Sequence, residues 1–355
     1  MNRFKKNFVF CLVFSLGLTP FFLKAQHQHQ FGLRATLFSY IDNREYKAPM
    51  TEDKTLLATR LSPSLFYSLD NKHFIYAGTH YQHNFGNVKN GQLKPILYYK
   101  YQTKKVNFYF GHTPREEAVG NLHPILLSDT VYYTRPNLEG MLVELKNKNY
   151  FQKIYIDWTG EQSTEIREQF FAGSSGEVKF GDFNLKNDIL LWHYALQLDA
   201  PESQHIRDNA VAMLRAGYKK EGALNLDLID IDAGLVVGMD RWRSEYDFIF
   251  PKGFISNIYA GYKSFAVRNT TYIGEAQRLP NADSYYNYKR YNRLDFLWRP
   301  FKSRFIEGEL NLSFHFVPGY IDNQQSFKLK FNLNTVFLNK SFQGDEKPLC
   351  PHKKQ

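Results

Sequence analysis

The chain has 355 residues, a formal net charge of +10, 17% aromatic residues and two cysteines. That length suits one large all-β domain or two smaller ones. The positive excess contains no lysine-rich run, so nucleic acid is not an expected partner.

Residues 1–25 read as a secretory signal peptide. MNRFKK is basic, NFVFCLVFSLGLTPFFL is apolar, and a small residue precedes a polar one, which places cleavage near Ala25–Gln26. The alternative is an N-terminal membrane anchor, against which Pro20 and Ala25 argue. Cys11 sits inside the apolar stretch and not at a lipobox position. Removing residues 1–25 takes away Arg3, Lys5, Lys6 and Lys24 and lowers the formal charge to about +6. Cys350 then remains alone, which excludes an internal disulfide and a cysteine-based zinc site. HQHQ at 27–30 invites loose copper or nickel binding, but a flexible polar leader is the plainer reading, and no cofactor or metal is expected.

From residue 31 onward one pattern recurs. Phe31, Leu33, Ala35 and Leu37 oppose Arg34 and Thr36; Leu190, Trp192, Tyr194 and Leu196 oppose His193 and Gln197. Ala210, Ala212, Leu214 and Ala216 oppose Arg207, Asn209 and Arg215; Trp242, Tyr246 and Phe248 oppose Arg241, Arg243, Glu245 and Asp247. Phe327, Leu329, Phe331 and Leu333 oppose Lys328, Lys330 and Asn332. Period-two alternation is a strand signal. The segmentation gives about sixteen strands, with fourteen to eighteen admissible: 31–41, 59–69, 72–83, 93–102, 104–111, 137–146, 150–159, 166–180, 183–198, 206–218, 223–238, 240–250, 254–268, 288–299, 304–316 and 325–338. The phase slips at Leu228–Ile229, as at a bulge.

Every second connection is short: 70–71, 103, 147–149, 181–182, 219–222, 251–253 and 300–303. The interleaved ones are mostly long: 42–58, 84–92, 112–136, 199–205, 269–287 and 317–324, with an exception near 239. A soluble sandwich has no reason to sort its loops by parity, whereas an outer-membrane barrel has short periplasmic turns and long outer loops. Several strands also exceed the usual five or six residues. Turning Lys328 and Lys330 to lipid would cost roughly 2–4 kcal/mol per residue at the midplane. The expected phase is therefore apolar outward and polar inward. Tyr40, Tyr67, Trp158 and Trp298 lie near strand ends, where interfacial girdles form. The fold class read from the sequence is an all-β, antiparallel up-and-down transmembrane barrel in the outer membrane. It occupies 26–340, after the signal peptide 1–25 and before a periplasmic tail 341–355.

On strand number and loop layout the chain resembles the bacterial outer-membrane porins. The resemblance implies passive diffusion of small hydrophilic solutes, with the third outer loop folding inward as a constriction. Here that loop is HTPREEAVGNLHPILLSDTVYYTRP, 112–136, with Arg115, Glu116, Glu117, His123, Asp129 and Arg135. The glycine-rich acidic signature of general porins is absent from it. Porins commonly end at an aromatic residue, a role for which Phe337 or Phe342 stands available although polar residues follow. Lipid is the surrounding partner, and homotrimer and monomer are both open.

The expected pore wall carries Arg34, Arg60, Lys105, Lys153, Arg207, Arg215, Arg241, Arg243, Arg293, Arg299, Lys328 and Lys330. Against these stand Asp157, Glu245, Asp247, Asp295, Glu307 and Glu309. Cationic rings favour anions, so a mild anion preference is expected; the plainer alternative is that the charges pair with each other. A barrel hydrolase would need a histidine and a serine held together. His193 and His315 sit on polar faces, but Ser313 and His315 are two residues apart, about 7 Å along a strand, too far for a direct bond. The expectation is that the protein is not an enzyme. Two other readings are a non-conducting scaffold barrel and a barrel lipid hydrolase.

Overall fold

The computed structural model describes residues 27–87 and 91–342. The signal segment with Cys11, the cleavage site, and the tail beyond Phe342 with Cys350 and His352 lie outside the described residues. The strands in chain order are β1 (His27–Glu45), β2 (Lys54–Leu69), β3 (His73–Asn84), β4 (Gln92–Gln102), β5 (Val106–Pro114), β6 (Asn137–Lys146), β7 (Tyr150–Gly160), β8 (Gln169–Phe180) and β9 (Phe183–Tyr194). They continue with β10 (Arg207–Glu221), β11 (Leu228–Trp242), β12 (Tyr246–Ile249), β13 (Lys252–Tyr262), β14 (Phe265–Gly274), β15 (Arg290–Lys302), β16 (Ile306–Val317) and β17 (Tyr320–Phe342). Each pairs antiparallel with its sequence neighbour, except that β11 pairs along most of its length with β13, and β17 closes onto β1. Sixteen strands therefore form a closed barrel, and β12 is a short arm on the end of β11.

Burial is inverted relative to a soluble protein. Ile154, Leu214 and Leu235 point away from the barrel with more than half their surface exposed, while Asp157, Asp295 and His315 are sealed inside. Only a surrounding hydrocarbon makes that apolar face favourable. The interior is filled partly by two loops that fold inward. L3, residues 115–136, carries two short helices, α1 (Arg115–Ala118) and α2 (Asp129–Thr134). L7, residues 275–289, ends in a 3-10 turn at Ser284–Asn287. Ile125, Leu126 and Leu127 of L3 and Tyr285 and Tyr286 of L7 are buried in one cluster with wall residues such as Leu142 and Phe171. The two loops also bond to each other, Ser128 N–H to the Asn281 carbonyl and Asp283 N–H to the Pro124 carbonyl, both at 2.9 Å.

Five expectations need correction. The segment 228–242 is one strand, so 223–238 and 240–250 are not neighbours across a turn at 239, and the slip at Leu228 marks a strand start. The segment 254–268 is two strands, joined at Lys263–Ser264, where Lys263 takes a left-handed φ of 52°. No glycine, proline or asparagine marks that turn, which is why alternation runs through it unbroken. Pro251–Gly253 accordingly lies at the loop end of the barrel. The expected long loop at 317–324 is the two-residue turn Pro318–Gly319, with Gly319 at φ 83°. HQHQ is the start of β1 rather than a free leader, since Gln28 N–H donates to Asp70. Tyr40, placed above in a girdle, is instead inside, stacked on Tyr133 of L3 at 4.1 Å.

Candidate active site

Between L3 and the wall lies a cavity of about 890 Å³. Arg34, Arg60, Arg215, Arg293, Arg299, Lys328 and Lys330 line it, as do Arg115, Glu116, Glu117, His123 and Asp129 from L3. Arg241 and Arg243 do not belong to this lining. Their partner Asp208 lies between Arg207 and Asn209, whose side chains reach inward to Asp240 and to the Arg278 carbonyl of L7. Alternation therefore places Asp208, and the guanidiniums bonded to it, on the lipid side.

The cavity's charges are largely matched. Arg34 and Lys100 hold Glu117 at 2.9 and 3.1 Å, Lys330 holds Glu116 at 2.5 Å, and Lys328 faces Asp129 at 3.8 Å. Arg215 bridges Asp188 and Asp232, Arg293 pairs with Asp295, and Arg299 with Glu309. Arg115 is 3% exposed and pairs with the sealed Asp157 at 2.7 Å. The pairs made by Arg115, Glu116, Glu117 and Asp129 strap L3 across the lumen. Burial alone would raise the Glu117 carboxyl, but Arg34 and Lys100 outweigh it and hold Glu117 below the usual carboxylate range. Lys328 does the same for Asp129. His123 is pushed down to about 3 by burial and then by the nearby Arg215 cation, and its Nε2 meets Asn257 Oδ1 at 3.1 Å.

Arg60 is the exception. Among the described residues it is the one cation of the lining with no carboxylate within 4 Å; its Nη1 donates to Gln82 Oε1 and to the Tyr133 carbonyl, both at 3.3 Å.

Two residues along the same face stands Ser62. Its Oγ is 2.7 Å from His80 Nδ1, and His80 Nε2 is 2.9 Å from Asn137 Oδ1. The protons can be assigned from the surroundings. Asn137 Nδ2 donates to the Pro95 carbonyl at 2.6 Å, so Oδ1 is the atom turned to the imidazole. Nε2 must then carry the hydrogen, and Nδ1 is left as the acceptor of the Ser62 hydroxyl. Asn137 is itself fixed, because Arg115 Nη2 donates to its carbonyl. The local chain explains why Ser62 is free to make this bond. Pro63 has no N–H, and the β2–β3 ladder skips from the pair Leu61–Tyr81 to Ser64–Gly78. Gly78 lets the strands close up there, since a Cβ would collide with the Pro63 carbonyl.

Sequence reasoning missed this triad. It tested Ser313 with His315, and the structure engages both elsewhere: Ser313 Oγ donates to Asp295, and His315 is fully buried between Tyr291 and Gln324. His193 faces the lipid side with Asp208. A signal for Ser62 and His80 did exist. A short turn at 70–72 joins β2 to β3, and register counted back from it sets residue 62 opposite residue 80.

The fold defines a class. The chain is an outer-membrane β-barrel of porin-like architecture. It is similar to the outer membrane protein OpdK of Pseudomonas aeruginosa, with 10% identity, a TM-score of 0.52, and 86% of this chain and 99% of that one covered. It is also similar to OmpT of Vibrio cholerae in its in-vitro folded trimer form, with 8% identity, a TM-score of 0.56, and 86% and 99% covered. At such identities the likeness concerns the fold. No curated protein matches the sequence. The family is given by a family model that matches residues 23–342: the chain belongs to the lipid A 3'-O-deacylase-type family. That is an enzyme family, and it overturns the expectation of a protein without catalytic activity.

Proposed function

We propose that this barrel is an acyl-ester hydrolase whose nucleophile is Ser62. The observation that carries the reading is the Ser62–His80–Asn137 chain of hydrogen bonds opening onto the cavity. His80 Nδ1 takes the Ser62 proton as Oγ attacks the ester carbonyl carbon. The carbonyl oxygen takes the electron pair and meets the uncompensated guanidinium of Arg60, the cation of the lining best placed to oppose new negative charge. The C–O bond to the alcohol then breaks, and the alcohol leaves with the proton from His80. Water, deprotonated by the same imidazole, cleaves the acyl-enzyme to a carboxylic acid and regenerates Ser62. Asn137 holds the imidazole in the working tautomer throughout. The family's name supports an acyl ester as the substrate class. Every neighbouring strand pair is bonded, so a substrate reaches the cavity from an end of the barrel and not through the wall.

The test is hydrolysis of a soluble p-nitrophenyl acyl ester by the refolded protein. Ser62→Ala is expected to lower kcat/KM by about a thousandfold or more while the barrel still folds and resists heat in detergent. Unchanged hydrolysis in folded Ser62→Ala would refute the assignment.

A second reading is favoured by the size of the cavity and by the inward fold of L3. Small hydrophilic solutes would cross through the same space, with Arg115, Glu116, Glu117, His123 and Asp129 as the constriction. Because the other cations of the cavity lining are matched, any anion preference of this space would rest chiefly on Arg60. Planar-bilayer conductance tests this: steps whose anion selectivity disappears in Arg60→Gln support it, and a silent, folded barrel rejects it.

A further inference from the structure

On the lipid side, strand register brings one row of residues together. Trp158 pairs with Phe170, Phe170 with His193, His193 with Asp208, and Asp208 with Arg241, across β7 to β11. Asp208 is the shared anion. Its Oδ1 meets His193 Nδ1 at 2.8 Å; its Oδ2 meets Arg241 Nη2 at 2.7 Å and Arg243 Nη2 at 3.1 Å. Two guanidiniums stand against one carboxylate, so the cluster keeps a positive charge whatever the state of His193. Donors are left over. A guanidinium has five N–H groups, Arg243 is nearly half exposed, and Arg241 Nε is sealed from solvent without an acceptor.

The height of the cluster can be read along β10. Tyr218 lies in an aromatic row near the turn end, against Phe183 at 5.4 Å. Ten residues separate it from Asp208, roughly 33 Å of strand, or about 25 Å of height at the usual tilt. The lipid-side residues between them are Ala210, Ala212, Leu214 and Ala216. That span matches the apolar band of such barrels, so the cluster stands at the outer headgroup level, where a cation costs little. Trp158 and Phe170 stack beside it at 5.2 Å, as aromatic residues do at a headgroup boundary.

We infer that the His193–Asp208–Arg241–Arg243 cluster binds the phosphate of an outer-leaflet lipid headgroup. Planar guanidinium forks suit a phosphate's oxygens, and the flanking rings face the lipid's glycerol or sugar and first methylenes. The inference concerns the opposite face of the wall from Ser62 and does not depend on the hydrolase reading.

The test places the refolded protein in phosphatidylcholine bilayers with increasing phosphatidate carrying brominated chains. Tryptophan quenching gives the preference for phosphatidate over phosphatidylcholine. Two charge-assisted bonds predict a preference of about tenfold or more. Arg241→Gln/Arg243→Gln is expected to bring the ratio close to one, while Lys219→Gln/Lys220→Gln at the turn end leaves it unchanged. Equal preference in the Arg241/Arg243 variant overturns the inference. So does full competition by inorganic phosphate, which would make the cluster a free-anion site, or cross-linking that finds this face covered by a second copy of the chain.

Discussion

Inside the barrel, nine cations and eight carboxylates line one cavity, and every one of those cations except Arg60 has a carboxylate within 4.0 Å. On the lipid side of the same wall, two arginines and a histidine converge on the single carboxylate of Asp208. The difference follows from solvent. Charges packed beneath L3 are taken out of water, and each unmatched one is expensive. At the headgroup boundary the medium screens and hydrates, so an excess of charge is tolerable and can serve a ligand. Arg60 is then informative, because it is unmatched where matching is the rule, and it lies beside Ser62, among the described residues the one serine bonded to a histidine that faces the cavity.

The sharpest way to break this comparison is to remove one carboxylate from each region. Asp157→Ala strands Arg115 in a sealed site and is expected to cost about 3–5 kcal/mol in urea unfolding. Asp208→Ala, at the wet rim, should cost about 1 kcal/mol or less. Similar losses would show that the two environments do not differ as described. Replacing both partners, Arg115→Met with Asp157→Leu, should recover most of the stability but lower hydrolysis, because Arg115 also fixes Asn137.

A smaller effect separates Arg60 from its matched neighbours. Arg60→Met is expected to lower kcat by about a hundredfold with unfolding changed by about 1 kcal/mol or less. The reverse pattern, lost stability with activity intact, would make Arg60 a strut for the Tyr132–Tyr133 carbonyls.

The smallest effect is on L3 itself. His123 sits near 3 in the docked loop against an ordinary 6.5. The released loop therefore binds more protons than the docked one, and docking weakens as pH falls from about 6.5 toward 3. Glu117 and Asp129, both held low, add to the loss as pH falls below the ordinary carboxylate range and through their docked values. Hydrogen exchange in 115–134, corrected for the intrinsic rate, should be flat above about pH 7 and rise relative to β6 below it. Constant protection down to pH 4 would contradict this account.

The barrel was legible because its alternation has a physical cause that operates along most strands, lipid outside and water or polar packing inside; the end of β9 departs from it, since the Leu190–Trp192 face expected to meet lipid packs inside and His193 points out. It was misread where that cause weakens. At the headgroup level polar side chains also turn outward, so Arg241 and Arg243 carried no phase information, and assigning them to the lumen followed from assuming that charge points in. The turn at Lys263–Ser264 was hidden because a left-handed lysine leaves no mark in the sequence. The triad was half legible. Ser62 and His80 face each other across a hairpin whose short turn sets the register, whereas Asn137 comes from a strand 57 positions beyond His80 and is brought there by the successive pairing of β3 to β6. L3 looked like a charged constriction from Arg115, Glu116 and Glu117, while its Ile125–Leu127 segment is the part that packs the interior.

The most direct measurement treats the refolded protein with a long-chain fluorophosphonate and maps the adduct by peptide mass spectrometry. The account predicts a single phosphonyl adduct on Ser62, lost in Ser62→Ala and strongly slowed in His80→Gln. Labelling at another serine, or none in a folded protein that still hydrolyses the ester, would contradict it.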